Sequence, residues 1–402
     1  MTDGPIMPGV YVDEVPARDP LIAGASTAVT AFVGAASSGV IDTPVLVRSV
    51  AEFERPFGDL ARECPMSYAV SQFFANGGTD AVIVRVESRT GAALTDDDVS
   101  ADWLEGDRKG LWALEHADTV DLLCIPPFTF HSDISAQTRA AAVRYAAARR
   151  AMFIADPLIG WTSASEIVSG TNSIDSATWG VAPDPNATLH VPRMQCADPL
   201  QGGRLADFVP CGAIAGVFAR TDRRRGVWKA PAGVEATLTG AVGATVALTD
   251  NDNRQLTERG VNGLRVLPRI GPVVWGARTT AGADALASDW KYVPIRRTAL
   301  FIEKSLIRGT TWARLEPNDD PLWARLRLGV DTFMHGLFRQ GAFQGSTPKE
   351  AWFVRCDSTT TTEHDIDTGL ATIVVGFAPL RPAEFVVITV RVPAGRGGPV
   401  LS

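Results

Sequence analysis

Cysteine is scarce in this sequence, and no two cysteines lie close together along the chain. The 402 residues include five, at Cys64, Cys124, Cys196, Cys211 and Cys356. An odd number of widely separated cysteines, with no C-x-x-C pair, predicts neither a disulfide framework nor a zinc site. We expect most of them to be small buried hydrophobic residues.

Long apolar runs and a secretion signal are also lacking. No segment approaches the roughly 20 consecutive apolar residues of a membrane-spanning helix. The first ten residues, MTDGPIMPGV, have neither the basic start nor the apolar core of a signal peptide. We therefore expect a soluble chain that is made in the cytoplasm and does not insert into a membrane.

Positive charge is the minority charge. Asp and Glu total 45 against 38 Lys and Arg, which gives a formal net charge of -7. Binding to nucleic acid requires a dominant basic surface, so we expect no nucleic-acid partner. The run Arg223, Arg224 and Arg225 is a local exception. A solvated loop is the preferred interpretation of this run, and a subunit contact is the second.

Recognisable catalytic and metal-binding motifs are absent. The sequence contains no G-x-x-x-x-G-K-[ST], no G-x-S-x-G and no H-E-x-x-H. The group Glu363, His364, Asp365 and Asp367 carries metal-binding side chains, but a solvated turn is the preferred interpretation. Residues 250–253 begin like a calcium loop, yet the required later glycine and glutamate are missing, which favours a turn. We predict no catalytic residue, no cofactor and no metal site.

Two other functional classes stay open at this point. A catalytic triad is assembled from residues that are distant in sequence, so a hydrolase acting on a surface polymer is one alternative. A particle-associated binding module is the other. Such modules commonly contain repeats, and the sequence has no internal repeat.

The first part of the chain predicts an α/β fold. Residues 1–20 carry four prolines around one short β-prone run, which predicts an extended arm. Strands are then predicted to alternate with helices, with strands at 27–36, 80–86, 118–127 and 151–157 and helices at 66–78 and 135–150. This alternation is typical of a mainly parallel sheet covered by helices.

The middle of the chain is predicted to be irregular, and the last third has the clearest pattern. Residues 199–243 are rich in Gly and Pro and predict a loop-dominated segment. An apolar helix is predicted to end at Gly309. The next helix is predicted to have Asp320 as its N-cap and Pro321 at its first position. Core strands are predicted at 351–356 and 371–378.

A final strand is predicted at the very end of the folded chain. Apolar residues alternate along it, with Val386, Ile388, Val390 and Val392 on one side. An unpaired apolar edge would promote aggregation, so this strand is either paired inside its own subunit or donated to another subunit.

Several segments together resemble one protein family. They occur in this order: MPGVYV followed by DEV, then GVFARTDRRRGVWKAPAG, then GPVVWGARTT, and finally the block from WKYVPIRRTALFIEKSLIRG to GFAPLRPAEFVVITVRV. Together they are similar to the contractile tail sheath proteins of bacteriophages, R-type bacteriocins and contractile injection systems. The chain length is similar to that of the compact sheaths of bacteriocins and injection systems.

The resemblance implies a mechanical function. Such subunits polymerise helically, in stacked hexameric rings, around an inner tube. They contract from a metastable extended state and drive the tube through a target envelope. The implied partners are further copies of the chain, the inner tube protein, and baseplate and terminal cap proteins, in a particle assembled in the bacterial cytoplasm.

The resemblance also implies a fold and assigns the two ends of the chain. The fold has mixed α/β sheets flanked by helices, with extended arms that add strands to neighbouring subunits. The subunit-linking residues of the N-terminal arm would be Val10, Tyr11, Val12, Asp13, Glu14 and Val15. Those of the C-terminal strand would be Phe385, Val386, Val387, Ile388, Thr389, Val390, Arg391 and Val392.

We accordingly divide the chain into five parts. They are an N-terminal arm (1–20), an N-terminal α/β domain (21–200), a loop-rich connection (201–288), a C-terminal α/β core (289–384) and a C-terminal arm (385–402).

A contact with the inner tube is predicted from charge. Residues 289–355 contain eleven Lys and Arg but only seven Asp and Glu, whereas the chain as a whole is acidic. Screened charge contacts hold two bodies together while allowing them to separate. Arg325 and Arg339 are the candidates for this contact. They lie away from the apolar stripe predicted on the helix that begins at Pro321, which consists of Leu322, Leu326, Val330, Phe333 and Leu337. Ordinary solvation of the helix is an equal alternative.

Overall fold

The strands of the chain form one large sheet and two small ones. The computed structural model describes residues 21–91, 93–380 and 386–395. The strands are β1 Thr30–Gly34, β2 Val45–Val47, β3 Ala81–Arg85, β4 Leu122–Cys124, β5 Met152–Ala155, β6 Ala187–Val191, β7 Met194–Asp198, β8 Arg204–Phe208, β9 Ala241–Ala244, β10 Asn262–Leu267, β11 Gly271–Val274, β12 Trp352–Arg355, β13 Leu370–Phe377 and β14 Val386–Pro393.

Helices connect and cover these strands. The α-helices are α1 Val50–Phe57, α2 Pro65–Ala75, α3 Asp96–Ser100, α4 Trp103–Asp107, α5 Ala136–Ala148, α6 Ala164–Ser169, α7 Cys211–Arg225, α8 Asp250–Glu258, α9 Val293–Gly309, α10 Asp320–Arg339, α11 Pro348–Ala351 and α12 Glu363–Asp367. Short 3-10 segments include Gly110–His116 and Thr311–Leu315.

The large sheet is mainly parallel and has the strand order β11-β10-β6-β5-β4-β1-β3-β2. Its two edge strands, β11 and β2, are antiparallel to their neighbours, and the strands between them are parallel. Every residue of β1 is buried, as expected for a strand that is covered on both faces. The predicted fold class, α/β with mixed sheets flanked by helices, is confirmed.

Side-chain alternation along the strands divides the core of this sheet into two layers. Val33 and Phe153 contribute to one layer, which is covered by α3, α4 and α5. Phe32 and Ile154 contribute to the opposite layer, which is covered by α2 and α7. Because successive residues of a strand point to opposite faces, both layers are apolar and each supports its own helices.

Helix α7 lies in a segment that the sequence analysis predicted to be loop-dominated. The glycines that suggested a loop are the residues through which α7 approaches α2. A methyl group added to Gly212 would overlap the carbonyl oxygen of Ala69, and one added to Gly216 would overlap that of Phe73. Glycine lowers intrinsic helix propensity by about 1 kcal/mol relative to alanine. Close packing against α2 therefore stabilises a helix that composition alone disfavours.

The basic run Arg223, Arg224 and Arg225 forms the last turn of α7. The three side chains are exposed, as expected, but the prediction of a loop is wrong. Cationic side chains suit this position, because the C-terminal end of a helix carries a partial negative charge. The helix then ends at Gly226, whose φ of 87° lies in the region that favours glycine.

The C-terminal unit consists of α9, α10 and the sheet β12-β13-β14, which enclose a separate apolar core. Helix α9 ends at Gly309, as predicted. Asp319, and not Asp320, is the N-cap of α10, because its carboxylate accepts a hydrogen bond from the backbone N of Leu322 at 3.1 Å. Asp319 and Asp320 carry the same carboxylate group, so the path of the backbone decides which of them caps α10.

Candidate assembly surfaces

Strand β14 forms one edge of the C-terminal sheet. It pairs antiparallel with the whole of β13, from Val386 opposite Phe377 to Pro393 opposite Leu370. Buried and exposed side chains alternate along it, with Val386, Ile388, Val390 and Val392 buried and Val387, Thr389 and Arg391 exposed. The predicted linking residue Phe385 lies outside the described residues. In the isolated chain, the described part of this strand therefore pairs with its own subunit.

The buried side chains of β14 contribute much of the free energy that holds this strand against β13. Each of its four buried aliphatic side chains contributes roughly 1.5–3 kcal/mol of burial free energy, and each backbone hydrogen bond contributes roughly 1 kcal/mol net. Only five residues, 381–385, separate the strand from Leu380 at the end of the preceding segment. The edge of β13 offers the same hydrogen-bonding groups and the same apolar core to a β14 from any copy of the chain.

The first described residues are also attached to the C-terminal unit. The backbone N of Ala25 donates a hydrogen bond to Ser305 Oγ of α9 at 2.9 Å. The side chain of Ile22 packs closely over Gly309. A Cβ added to Gly309 would lie 2.8 Å from Ile22 Cγ2. Leu21 is 82% exposed. The six predicted residues of the N-terminal arm, Val10, Tyr11, Val12, Asp13, Glu14 and Val15, lie outside the described residues.

Helix α9 joins the C-terminal unit to the large sheet through a buried ion pair. The Arg297 guanidinium donates to both carboxylate oxygens of Asp222, at 3.0 and 2.6 Å, and to the carbonyl oxygen of Thr27. The two side chains are 3% and 6% exposed. Burial raises the pKa of the Asp222 carboxyl, and the charge of Arg297 opposes that increase. An ion pair this deeply buried is strongly destabilising when only one partner is removed.

A second ion pair lies about two turns further along the same helix. Lys304 Nζ donates to Asp121 Oδ1 at 2.7 Å, and Asp121 Oδ2 accepts from the backbone N of Val29 at 3.0 Å. Burial lowers the pKa of Lys304, while the carboxylate of Asp121 opposes this. The two pairs attach α9 both to the start of β1 and to α7. No sequence motif marks either pair, because the partners are 75 and 183 residues apart.

Arg325 and Arg339 both lie on α10, but their surroundings differ. The guanidinium of Arg325 lies 4.5 Å from the ring centroid of Trp312 and pairs with Glu316 at 3.1 Å. Arg339 is exposed in the last turn of α10. Arg325 therefore makes these contacts within its own subunit.

The two segments that resembled metal sites lie in helices and not in turns, and one carboxylate in each of them caps its helix. Thr362 and Asp365 form a capping box at the start of α12, and Thr249 and Asp252 form one at the start of α8. Each carboxylate is thus bonded to a backbone NH and a hydroxyl of its own turn. Among the residues that the structure describes, no group of three or more His, Cys, Asp or Glu could hold a metal ion.

A buried carboxyl at the end of β5 serves the fold in a similar way. Asp156 Oδ1 accepts from the backbone N of Cys211 at 2.8 Å, at the start of α7. Burial raises the pKa of Asp156 to about 7. The five cysteines are all free and buried. The Asp156 carboxyl therefore connects the end of β5 to the start of α7.

Known proteins are similar both to the C-terminal unit and to the chain as a whole. A family model described as the phage tail sheath C-terminal domain matches residues 287–393, which contain α9, α10 and the sheet β12-β13-β14. The structure also matches the sheath complex of an extracellular contractile injection system, PVC, in its contracted state, with a TM-score of 0.72 and 26% sequence identity, over 96% of this chain and 98% of that chain. The chain is thus similar to a contractile sheath subunit over nearly its whole length.

Two further sheath structures are similar to this chain. The contracted helical sheath of the anti-feeding prophage matches with a TM-score of 0.72 and 26% identity, over 95% of this chain and 98% of that chain. The sheath tail protein from Listeria innocua, at 11% identity and a TM-score of 0.63, covers 93% of this chain and 96% of its own and shares the fold. No curated protein matches the sequence. In the described part of this chain, no helix combines the length and apolarity that crossing a membrane requires.

Proposed function

We propose that this sheath protein polymerises helically around an inner tube and contracts from a metastable extended state, which drives the tube through a target envelope. The observation that carries the proposal is its similarity, over nearly the whole chain, to subunits of contracted sheaths. The proposed partners are other copies in stacked hexameric rings, the inner tube protein, and baseplate and cap proteins. The particle is assembled in the bacterial cytoplasm, and the subunit catalyses no reaction.

Contraction requires two packings of one subunit. Heterologous contacts that do not close into a ring produce a helical array, and two arrangements of these contacts give an extended and a contracted cylinder. The extended form is held kinetically until release from the baseplate, so contraction runs downhill without a nucleotide. The buried ion pairs of α9 support a subunit body that moves as one unit.

Strand exchange would keep the subunits linked during this movement. We propose that β14 is donated to the β13 edge of a neighbouring copy, and that the N-terminal arm adds a further strand. The pairing of β14 inside the isolated chain is compatible with exchange, because the same hydrogen bonds and the same buried side chains form in either arrangement. The energetic cost of exchange is therefore confined to the connecting segment.

A cross-strand cysteine pair tests both polymerisation and exchange. Val374 of β13 lies opposite Thr389 of β14, so Val374→Cys with Thr389→Cys places two thiols within bonding reach. Oxidation of the isolated subunit should give an intramolecular bond. Oxidation of the assembled sheath should give covalent chains of many subunits on a non-reducing gel.

The outcomes separate the two parts of the proposal. Thr389→Cys alone is the matched control, and the buried native cysteines should contribute no cross-link. Monomers with an internal bond, recovered from cylinders seen by electron microscopy, would contradict strand exchange. Failure of the full-length chain to form cylinders with its tube would contradict the sheath function itself.

The proposed contact with the inner tube is best tested at Arg339. Arg339→Glu should weaken co-assembly of the extended sheath with its tube and leave the free energy of unfolding unchanged, because the side chain is exposed. Adding Arg325→Glu should weaken assembly further, although it also removes the ion pair with Glu316. Arg254→Glu, an identical charge change at an exposed residue of α8, is the control. Unchanged tube binding by the Arg339 variant would refute the assignment.

A further inference from the structure

Helices α2 and α7 run parallel, so their C-terminal ends lie side by side. Gly212 of α7 lies against Ala69 of α2, and about two turns later Arg220 lies against Gly77, just beyond the last residue of α2. The C-terminal end of a helix carries a partial negative charge of about half an elementary charge. The two ends together therefore place about one negative charge at this position.

Three arginines of α7 surround the two helix ends. Arg220 donates a hydrogen bond to the carbonyl oxygen of Asn76 at 3.1 Å. Arg223 donates one to the carbonyl oxygen of Gly77 at 3.2 Å. Arg224 is exposed, and the described structure gives its side chain no hydrogen bond or ion pair. We call Arg220, Arg223 and Arg224 the arginine end.

The positive charge of the arginine end exceeds the negative charge of the two helix ends. Within the described residues, none of its three guanidiniums forms an ion pair, whereas the adjacent Arg225 pairs with Glu235 at 3.0 Å. Three positive charges against about one negative charge leave about two positive charges unbalanced. Burial lowers the pKa of Arg220, and the charges of Arg224 and Arg223 lower it further. Binding to the helix ends therefore accounts for only part of this cluster.

Helix α12 carries the opposite charge on an exposed face. Glu363 and Asp367 are both exposed and lie four residues apart, which places them on the same side of the helix. Within the described residues, neither carboxylate forms an ion pair. Asp365 caps the helix: its bonds to Thr362 lower the pKa of its carboxyl, and the charge of Arg391 also contributes. Like charges four residues apart repel each other, so a cation beside Glu363 and Asp367 would stabilise α12.

The acidic helices α3 and α4 already have basic partners. Asp98 of α3 pairs with Arg89 at 3.1 Å, and Asp107 of α4 pairs with Lys109 at 3.5 Å. Among the described helices, α12 is therefore the place where two exposed carboxylates on one face lack a cation. Every copy of the chain, which has a formal net charge of -7, offers this acidic face to its neighbours.

We infer that the arginine end of one subunit binds α12 of a neighbouring copy, with Arg223 and Arg224 facing Glu363 and Asp367. Within the described chain no ion pair joins the two surfaces, so the partner surface comes from a second copy. The inference rests on the proposed polymerisation, because a contact between two different surfaces repeats without closing and produces a helical array. Solvent-exposed charge contacts are screened, so they can break and form again between two packings of the sheath.

Charge reversal on each side tests this contact in the full-length chain assembled with its tube. The basic reversal is Arg223→Glu with Arg224→Glu, and the acidic reversal is Glu363→Arg with Asp367→Arg. Each should raise the critical concentration for cylinder formation roughly tenfold or more, because like charges then face each other. The chain with all four substitutions should return close to the native value. Sedimentation, checked by electron microscopy, measures the concentration.

A matched control and a mixture sharpen the test. Arg144→Glu with Arg254→Glu makes the same charge change on exposed residues of α5 and α8 and should leave the critical concentration unchanged. An equal mixture of the two reversal variants should form cylinders at concentrations where neither does so alone. In the mixture, each variant presents the charge that the other requires.

One variant guards against effects on folding. Arg224→Gln breaks no hydrogen bond of the described structure and should still raise the critical concentration several-fold. Unchanged assembly by this variant, or by either reversal, would overturn the inference. So would a basic reversal that neither the four-substitution chain nor the mixture restores, which would assign the arginine end to the tube or another partner. Failure of the native chain itself to form cylinders would instead contradict the sheath function.

Discussion

Asp222→Ala should destabilise the subunit by about 3–5 kcal/mol, because it leaves the Arg297 guanidinium buried without its counterion. Arg297 has one further acceptor in the structure, the carbonyl oxygen of Thr27, which cannot neutralise the charge. The measurement is urea unfolding of the unassembled subunit, followed by circular dichroism. We expect a lower midpoint, together with easier separation of the C-terminal unit from the large sheet.

Two further variants show whether the effect comes from the unpaired charge. Asp222→Leu with Arg297→Met removes both charges and keeps the volume similar, so its free energy of unfolding should return most of the way to that of the native chain. Glu235→Ala removes the partner of Arg225 in an exposed pair and should cost at most about 1 kcal/mol. If Asp222→Ala were as stable as Glu235→Ala, the buried ion pair would not be what attaches α9 to the large sheet.

Gly212→Ala should have the second large effect, a loss of about 3 kcal/mol or more, because the new methyl group overlaps the backbone of α2 at Ala69. A backbone carbonyl cannot move aside as a flexible side chain can, so α7 must shift as a whole. That shift would disturb the Asp222 pair as well, since Asp222 lies on the same helix. Thermal unfolding of the purified subunit measures the loss.

The chain offers a matched control for this change. Gly336 lies inside α10, and an added Cβ there would meet nothing within 4 Å. Gly336→Ala should therefore be neutral or stabilising by up to about 1 kcal/mol through higher helix propensity. If both alanine variants were equally stable, close packing of α7 on α2 would not be the reason for the glycine.

The two effects bear on the mechanism, because contraction transmits force through the subunit body. α7 is packed on α2 without intervening side chains at its glycines, and α9 is tied to α7 and to the start of β1 by buried charges. A variant that loosens either contact should still form its secondary structure. We expect it to weaken the coupling between the large sheet and the C-terminal unit, where both described ends of the chain are attached.

Local patterns were sufficient for some elements and misleading for others. The apolar stripe of α10 and the alternation of β14 were predicted from spacing, because a buried face repeats every three to four residues in a helix and every two in a strand. Helix α7 was missed, since its glycines signal a loop locally and become favourable only against α2. The cap of α10 was misplaced by one residue for a similar reason, as the capping role depends on the backbone path.

The sequence by itself determined the α/β class, the strongly periodic elements and the resemblance to contractile sheaths, since each depends on residues that are near one another along the chain. Tertiary structure alone decided which strand pairs with β14 in the isolated subunit, that the first described residues bind α9, and that Arg297 and Lys304 meet carboxylates 75 and 183 residues away. Such contacts depend on how distant segments are brought together in the folded core, and no local periodicity encodes that arrangement.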